Sequence, residues 1–265
     1  MPEPLTARRV ALLGGVYSNA LALRAVLDDA RVRGAEAVAC LGDVGGFGPR
    51  PDEAIEILRD AGIACVQGNY DQAVAHGGAD CGCGYTDPRD NHFAALSYRY
   101  TLDRTSPDNR RWLGALPPSL ALALGRFRVL LCHGSPRRVN EFLWESATPT
   151  ALLERFCERH AADVVCVTHT GLRWHRALPG GRHAVNVGAV GRPENDGSPT
   201  TGYALLTAGD ALDVEFVRVA YDHEAQARAM EREGLPPEFV ETVRTGWWTC
   251  CLESLPAKER ARGRY

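Results

Sequence analysis

The stretch of residues 10–23, V-A-L-L-G-G-V-Y-S-N-A-L-A-L, predicts a buried strand, a tight turn and the beginning of a helix. Asn19 is a residue type that caps the N-terminus of a helix, so the turn precedes it. Such a turn places side chains at the carboxyl end of a strand, where α/β proteins hold their ligands. A metal site there needs carboxylates or imidazoles, yet the turn offers Gly14, Gly15 and Tyr17.

The bulk composition indicates a globular protein with one large domain, or one domain with an appendage. Its 265 residues are 45% hydrophobic, and the formal net charge is −3. Because there is no basic excess, we expect no specific nucleic-acid binding and no membrane partner. We see no targeting segment and no membrane span, and we therefore expect a cytoplasmic protein.

The chain has nine cysteines, an odd number. Cys40, Cys65, Cys132 and Cys166 lie in or beside apolar strand-like runs, where cysteine is usually a small buried hydrophobic residue. We therefore expect free thiols, as in a reducing compartment.

The order of elements favours an α/β fold, because strand and helix alternate through the first 70 residues. A polar, glycine-rich insertion at 76–92 interrupts this pattern. We expect 1–220 to form the main domain and 221–265 a helical extension packed on it. The predicted strands are 8–13, 37–41, 63–66, 127–132 and 164–167, followed by 183–187, 203–207 and 211–219 as consecutive antiparallel strands. The predicted helices are 19–33, 52–59, 93–101, 107–115, 149–159 and, with an interruption, 222–244.

Four predicted strands end in a side chain that can bind a metal ion. These side chains are Asp43 in L-G-D, Asn69 in G-N-Y-D, His133 in C-H-G-S-P and His169 in T-H-T-G. A carboxylate, an amide oxygen and two imidazoles suit Zn, Mn or Fe(II). Each signal is weak alone, but the four together predict a metal site at the ends of the strands.

The order of these motifs resembles that of the calcineurin-like metallophosphoesterases. The chain has G-D-V-G-G-F-G-P, G-N-Y-D, H-G-S-P, T-H-T-G and N-V-G-A-V-G-R-P in that order, and the resemblance covers about residues 8–217. It is strongest to the compact bacterial branch described as phosphodiesterase-like or diadenosine-tetraphosphatase-like. The resemblance implies a four-layer α/β/β/α sandwich with a two-metal site, which hydrolyses phosphomonoesters, phosphodiesters or phosphoanhydrides through a metal-bound hydroxide.

The resemblance also implies which ligands are missing. The family's first motif, Asp-x-His, falls on Gly15 and Tyr17, and the last His of its G-H-T-H motif falls on Gly171. These three ligands belong to the first metal of the family alone. The second metal keeps Asp43, Asn69, His133 and His169. We therefore predict one divalent transition metal per chain (Mn, Zn or Fe), with a second only if substitute ligands exist.

The candidate catalytic residues are Asp43 and His133 at the metal, Tyr70, Tyr17 and Arg137. Tyr70 stands where the family often has a His that protonates the leaving group, and Tyr17 either donates a proton or fills the vacated volume. Arg137, with the neighbouring Arg138, could bind a phosphate or could be a surface arginine.

The insertion suggests two alternatives. It is a lid whose cysteines shape the pocket, which we favour, or it supplies substitute ligands. The candidates for that second role, with His175 from outside the insertion, are His76, Asp80, Cys81, Cys83, Asp87, Asp90 and His92.

The sequence thus predicts a metal-dependent phosphoesterase with reduced or altered activity, acting on a small phosphorylated molecule or a nucleotide. The alternative is a catalytically inactive binding or scaffold protein on the same fold, as the retromer subunit that resembles this family illustrates. A weaker third idea is thiol or metal sensing through Cys81 and Cys83. A homo-oligomer remains possible in each case.

Overall fold

A computed structural model describes residues 5–264 of the chain. Its strands are β1 (Leu5–Ala7), β2 (Arg9–Leu13), β3 (Ala37–Cys40), β4 (Ala64–Cys65), β5 (Ser119–Leu124), β6 (Phe127–Cys132), β7 (Val164–Val167), β8 (Arg173–Leu178), β9 (Arg182–Val187), β10 (Thr201–Ala208) and β11 (Leu212–Val219). Its helices are α1 (Ala20–Val32), α2 (Pro51–Asp60), α3 (Asn69–His76), α4 (Pro88–Arg104), α5 (Pro107–Gly114), α6 (Thr150–Arg159), α7 (His223–Arg232), α8 (Pro237–Thr245) and α9 (Ala257–Arg260).

The strands form two mixed sheets. The five-stranded sheet has the order β11-β10-β2-β3-β4, and the six-stranded sheet has the order β1-β5-β6-β7-β9-β8. Strands β2, β3 and β4 are parallel to one another, as are β6, β7 and β9. The carboxyl ends of each parallel set therefore share one edge of their sheet.

Side-chain alternation along the strands explains why the two sheets pack face to face. In β2, Val10 and Leu12 enter a core shared with side chains of β5, β6, β7 and β9, whereas Ala11 and Leu13 enter a core shared with helices. Successive residues of a strand point to opposite faces, so a fully apolar strand must be covered on both sides.

Helices cover the outer face of each sheet. Helices α1 to α5 supply the core on the five-stranded sheet, and Leu153, Phe156 and Cys157 of α6 cover the six-stranded sheet. The layers are thus helix, sheet, sheet and helix, and the predicted α/β/β/α sandwich is confirmed.

The local predictions differ from the structure in a few elements. The strand at 183–187 is not consecutive with 203–207 in one sheet, because β9 pairs with β7 and β8 in the six-stranded sheet. The prediction omitted β1, α3, β5, β8 and α9. Helix α4 begins inside the insertion, at Pro88, because the Asp87 side chain accepts a hydrogen bond from the amide of Arg89 and caps it.

The C-terminal segment packs beside the carboxyl ends of the strands. Phe239 of α8 lies 4.6 Å from Phe47 and 5.9 Å from Phe93, measured between ring centroids. Trp248 is 2% exposed and belongs to a small core with Trp144 and Leu172. Within residues 5–264, no helix is long and apolar enough to cross a bilayer.

Candidate metal centre

The carboxyl ends of the two sheets bring together the side chains that the sequence singled out. Asp43 follows β3, Asn69 begins α3 just after β4, His133 follows β6, and His169 follows β7. All four are buried, with exposed fractions between 1% and 7%. The structure therefore brings Asp43, His133 and His169 together at the carboxyl ends of the strands, and Asn69 lies at the end of the neighbouring strand β4.

Asp43 has an unusual backbone conformation that aims its carboxylate inward. Its φ is +54°, which non-glycine residues rarely adopt. One carboxylate oxygen, Oδ1, accepts a hydrogen bond from the amide of Tyr70 at 3.0 Å. A Cβ atom added at Gly68 would lie 2.3 Å from the same oxygen, so only glycine fits beside this carboxylate.

Asp71 holds the two ligand-bearing loops together. Its carboxylate accepts hydrogen bonds from the amides of Asp43 at 2.8 Å, Val44 at 2.9 Å and Gly68 at 2.8 Å. Burial, reinforced by the charge of Asp43, raises the pKa of Asp71 to about 6. The acid of G-N-Y-D thus orients Asp43.

The two imidazoles each use one ring nitrogen on a backbone carbonyl. His133 Nδ1 lies 2.7 Å from the Leu41 oxygen, and His169 Nε2 lies 3.2 Å from the Cys83 oxygen. A carbonyl only accepts hydrogen bonds, so both of these nitrogens carry the proton. A neutral imidazole then has its other nitrogen free as a ligand, which is the usual arrangement of metal-binding histidines.

Three acceptor atoms therefore converge. His133 Nε2 is 3.2 Å from Asp43 Oδ2 and 3.1 Å from His169 Nδ1. Asp43 raises the pKa of His133 although burial opposes it, so this cluster attracts positive charge. Burial, reinforced by the charge of His133, lowers the pKa of His169 to about 3, so His169 stays neutral. A proton on His133 or a metal ion would balance the cluster.

Asn69 supplies the fourth ligand candidate. Its Nδ2 donates to the Cys81 carbonyl at 2.9 Å, which fixes the orientation of the amide. Its Oδ1 is buried and has no hydrogen-bond donor. A buried acceptor without a donor is costly unless something else satisfies it. Asp43, His133 and His169 thus form a candidate metal-binding group, and Asn69 offers a buried amide oxygen as a further donor.

Aromatic rings lie against two of the positions that the resemblance assigns to missing ligands. Gly15 and Gly171 leave space, and an aromatic ring occupies it in each case. A Cβ atom at Gly15 would lie 2.5 Å from Tyr17 Cζ, and one at Gly171 would lie 3.2 Å from Trp248 Cη2. Side-chain volume thus fills the space beside these two glycines.

A small cavity of about 60 Å³ opens beside the metal ligands. Its aromatic walls are Phe47, Tyr85, Phe93 and Phe239, and Tyr17, Asp43, Tyr70 and His169 lie at its base. Several lining residues that are not glycine have a positive φ: Tyr17, Asp43, Phe47, His169 and Cys251. Strained backbone of this kind tends to collect at functional sites.

The two tyrosines are placed differently. The Tyr70 hydroxyl donates to the Ala94 carbonyl at 3.3 Å, whereas the Tyr17 ring folds back over Gly15. Burial raises the pKa of both phenols, and the charge of Asp43 adds to this effect. Both residues therefore keep their protons.

Arg137 and Arg138 do not reach this cavity, which corrects the expectation that Arg137 binds phosphate there. Both side chains are exposed, and Arg137 pairs with Glu141 four residues along the chain. Arg137 lines a separate surface pocket with Arg155 and Phe156.

The arginine that lines the cavity is Arg192 in G-R-P, which sequence reasoning overlooked. The preceding Gly191 was the available signal, since a Cβ atom there would lie 2.1 Å from the Val16 oxygen.

The insertion does not supply substitute ligands through its cysteines. Cys81 and Cys83 are joined as a disulfide across Gly82, which corrects the expectation of free thiols for this pair. Gly82, with a φ of +61°, turns the chain so that the two Cα atoms lie 5.3 Å apart, a normal separation for a bridge. The other seven cysteines are free. The insertion contacts Asn69 and His169 through its carbonyls instead.

The other proposed substitutes also lie elsewhere. Asp87 and Asp90 group with Glu253, apart from the cluster of Asp43, and His175 Nε2 lies 3.0 Å from His183 Nδ1. The remaining three candidates are exposed side chains: His76, Asp80 and His92.

Comparison with known proteins agrees with this geometry. A model of the calcineurin-like phosphoesterase superfamily domain matches residues 9–211. The uncharacterized protein MJ0912 of Methanocaldococcus jannaschii is 27% identical over 253 residues, which are 89% of this chain and 98% of that protein. A metallophosphoesterase structure from Sphaerobacter thermophilus has a TM-score of 0.68 at 27% identity, over 91% of this chain and 99% of that one. The hypothetical protein PH1004 from Pyrococcus horikoshii shares the fold, with a TM-score of 0.76 at 22% identity, over 92% of this chain and 100% of that one.

Proposed function

The chain belongs to the calcineurin-like phosphoesterase superfamily, and on that premise we propose that it is a hydrolase that works with one divalent transition metal. The substrate class is a phosphomonoester, a phosphodiester or a phosphoanhydride of a small molecule or nucleotide. The metal would be held by Asp43, Asn69, His133 and His169, and the activity would differ from that of a two-metal enzyme.

The convergence of ligand atoms supports this proposal most strongly. His133 Nε2, His169 Nδ1 and Asp43 Oδ2 meet within 4.8 Å, and the buried Asn69 Oδ1 lacks a donor. A buried carboxylate and two imidazole nitrogens that converge in this way need a shared proton or a metal ion between them, and their donor types suit a transition metal. When bound, a divalent metal supplies Lewis acidity toward the phosphoryl group and lowers the pKa of a coordinated water.

A tyrosine beside this cluster would donate a proton to the leaving group. Tyr17 and Tyr70 both keep their protons, since burial raises their pKa values. The Tyr70 hydroxyl is already engaged with the Ala94 carbonyl. Tyr17 lies on the side vacated by the first metal and is therefore the better candidate for giving a proton to a leaving oxygen.

The walls of the cavity favour a substrate with an apolar or aromatic portion. Phe47, Phe93 and Phe239 form one wall, and Tyr85 stacks on Phe142 at 5.5 Å. These rings could pack on a base or another flat group. The phosphoryl group would lie at the base of the cavity, next to the metal ligands.

The first test is metal content by elemental analysis, on protein purified without a chelator or an affinity tag. We expect about one transition metal per chain, and then hydrolysis in a screen of phosphomonoesters, phosphodiesters and dinucleoside polyphosphates. The absence of metal, even after incubation with Mn²⁺ or Zn²⁺, would refute the hydrolase and leave a binding protein on this fold.

A further inference from the structure

We propose that the guanidinium of Arg192 binds the phosphoryl oxygens of the substrate and supplies the positive charge that a first metal would otherwise give. This inference rests on the proposed function, since it names the residue that would hold the phosphoryl group beside the remaining metal. Arg192 lies in the loop that follows β9, at the same edge of the six-stranded sheet as His133 and His169. It lines the cavity together with Asp43, Tyr17 and His169.

The side chain is held rigidly by the C-terminal segment. Its guanidinium carbon lies 3.7 Å from the centroid of the Trp248 ring and 5.4 Å from that of Phe47. Its Nη2 donates to the Cys250 carbonyl at 2.6 Å. Stacking and one hydrogen bond fix the plane of the guanidinium, so little side-chain entropy remains to be lost on binding an anion.

The charge of Arg192 is buried without an acidic partner. The residue is only 9% exposed, and within residues 5–264 its guanidinium contacts Cys250 and the rings of Trp248 and Phe47 rather than a carboxylate. Its Nε is buried and has no acceptor. A buried charge that is unpaired costs stability and calls for a partner. An anion in the cavity would provide one.

Arg173 shows how this fold treats a structural arginine. Its side chain is also largely buried, but it pairs with Glu194 at 2.5 Å and donates to the Val217 carbonyl at 2.8 Å. Arg173 therefore has its donors satisfied by the protein, whereas Arg192 keeps the Nε donor available for a ligand.

The Trp248 ring contacts both Gly171, which stands at a ligand position of the family's first metal, and the guanidinium of Arg192. Trp248 fills the space beside Gly171, and Arg192 stacks on that ring. A metal ion there would have stabilised negative charge on the phosphoryl oxygens. A guanidinium supplies positive charge and two parallel N–H donors, which match a phosphate better than a point charge does.

The test is a calorimetric titration of the protein with inorganic phosphate, both loaded with Mn²⁺ and free of metal. We expect Arg192→Met to weaken phosphate binding about 10- to 100-fold, as for the loss of charge-assisted hydrogen bonds. Metal content should stay unchanged. The phosphate affinity of Arg192→Lys should lie between those of the parent and Arg192→Met, because lysine keeps the positive charge but loses the planar pair of N–H donors. Arg137→Met, on the exposed surface, is the matched control and should bind as the parent does.

The outcomes distinguish this inference from the proposed function. Equal phosphate affinity for the parent and Arg192→Met, or no phosphate binding by the parent, would overturn the inference even if a metal is present. If the parent holds no metal but Arg192→Met still weakens phosphate binding, the hydrolase is wrong and the anion site stands. Should Arg192→Met fail to fold, Arg192→Lys decides: an affinity equal to that of the parent would overturn the assignment of a bidentate contact.

Discussion

The ring of Tyr17 lies over Gly15, so closely that a Cβ atom added to Gly15 would be 2.5 Å from Tyr17 Cζ. The two residues therefore depend on each other: the tyrosine fits because position 15 is glycine. Their steric coupling can be tested by placing Asp at position 15 and His at position 17.

We predict that Gly15→Asp and Tyr17→His are strongly non-additive. Gly15→Asp alone should destabilise the fold by about 1–3 kcal/mol, because the new side chain collides with the tyrosine ring. Adding Tyr17→His should recover part of that loss, with a coupling of roughly 0.5–3 kcal/mol. Denaturant unfolding of both single variants and the double variant measures the coupling. Additive losses would show that the ring and the glycine are independent.

Removing one imidazole should abolish metal binding. In His169→Gln the nitrogen that faces His133 at 3.1 Å is lost, and we expect bound Mn²⁺ or Zn²⁺ to fall to background. The parent should gain about 2.7 kcal/mol of stability at a metal concentration of 100 times the Kd, and the variant should gain none. Elemental analysis and thermal unfolding with added metal measure both effects.

The matched control for this experiment is His175→Gln, because His175 pairs with His183 on the six-stranded sheet. Its metal content should equal that of the parent. Equal metal content in His169→Gln and the parent would contradict the ligand set.

Gly68→Ala should damage the site through sterics alone. Its φ is −88°, which suits alanine, but the added Cβ would lie 2.3 Å from Asp43 Oδ1 and 2.4 Å from the Asp43 amide nitrogen. We expect a loss of about 1–3 kcal/mol, together with weaker metal binding. In the control Gly209→Ala, the nearest atom would be 3.6 Å away, so stability should change little. If the two variants unfold alike, the close approach is not a constraint.

The ion pair of Asp163 with Arg128 should make the free energy of unfolding depend on pH. The Asp163 carboxylate accepts hydrogen bonds from the amide and guanidinium of Arg128, at 2.8 Å to the amide, and the Arg128 side chain holds the pKa of Asp163 below its usual value of 3.8. A lowered folded-state pKa stabilises the fold above pH 3.8, and this contribution disappears as the pH falls through the folded-state value.

Asp163→Asn should therefore be less stable than the parent at pH 7, by up to about 1 kcal/mol because the pair is partly exposed. The difference should shrink as the pH falls below 3.8. Urea unfolding at several pH values measures it, with the exposed Asp213→Asn as control. A difference that does not vary with pH would mean that the carboxylate charge plays no part.

Particular residues show how far sequence reasoning reached. Asp43, Asn69, His133 and His169 could be placed because each follows a strand, and parallel strands must bring their carboxyl ends to one edge. The helix cap at Asn19 was also predicted from the sequence, and its Oδ1 accepts a hydrogen bond from the Ala22 amide at 3.0 Å. Arg137 was misplaced because proximity to H-G-S-P along the chain does not fix where a side chain points, and Glu141 is nearer.

The sequence by itself determined the strand-helix alternation and the strand-end side chains Asp43, Asn69, His133 and His169, because these depend on local periodicity; the order of its motifs implied the four-layer fold through a family resemblance. Only the tertiary structure decided which side chains lie against Gly15 and Gly171 and which arginine lines the cavity. Arg192 and Cys250 are 58 residues apart in the chain, and the contact of Arg192 with Trp248 is similarly distant. No local pattern encodes such a contact, because it arises when the C-terminal segment packs across the ends of both sheets.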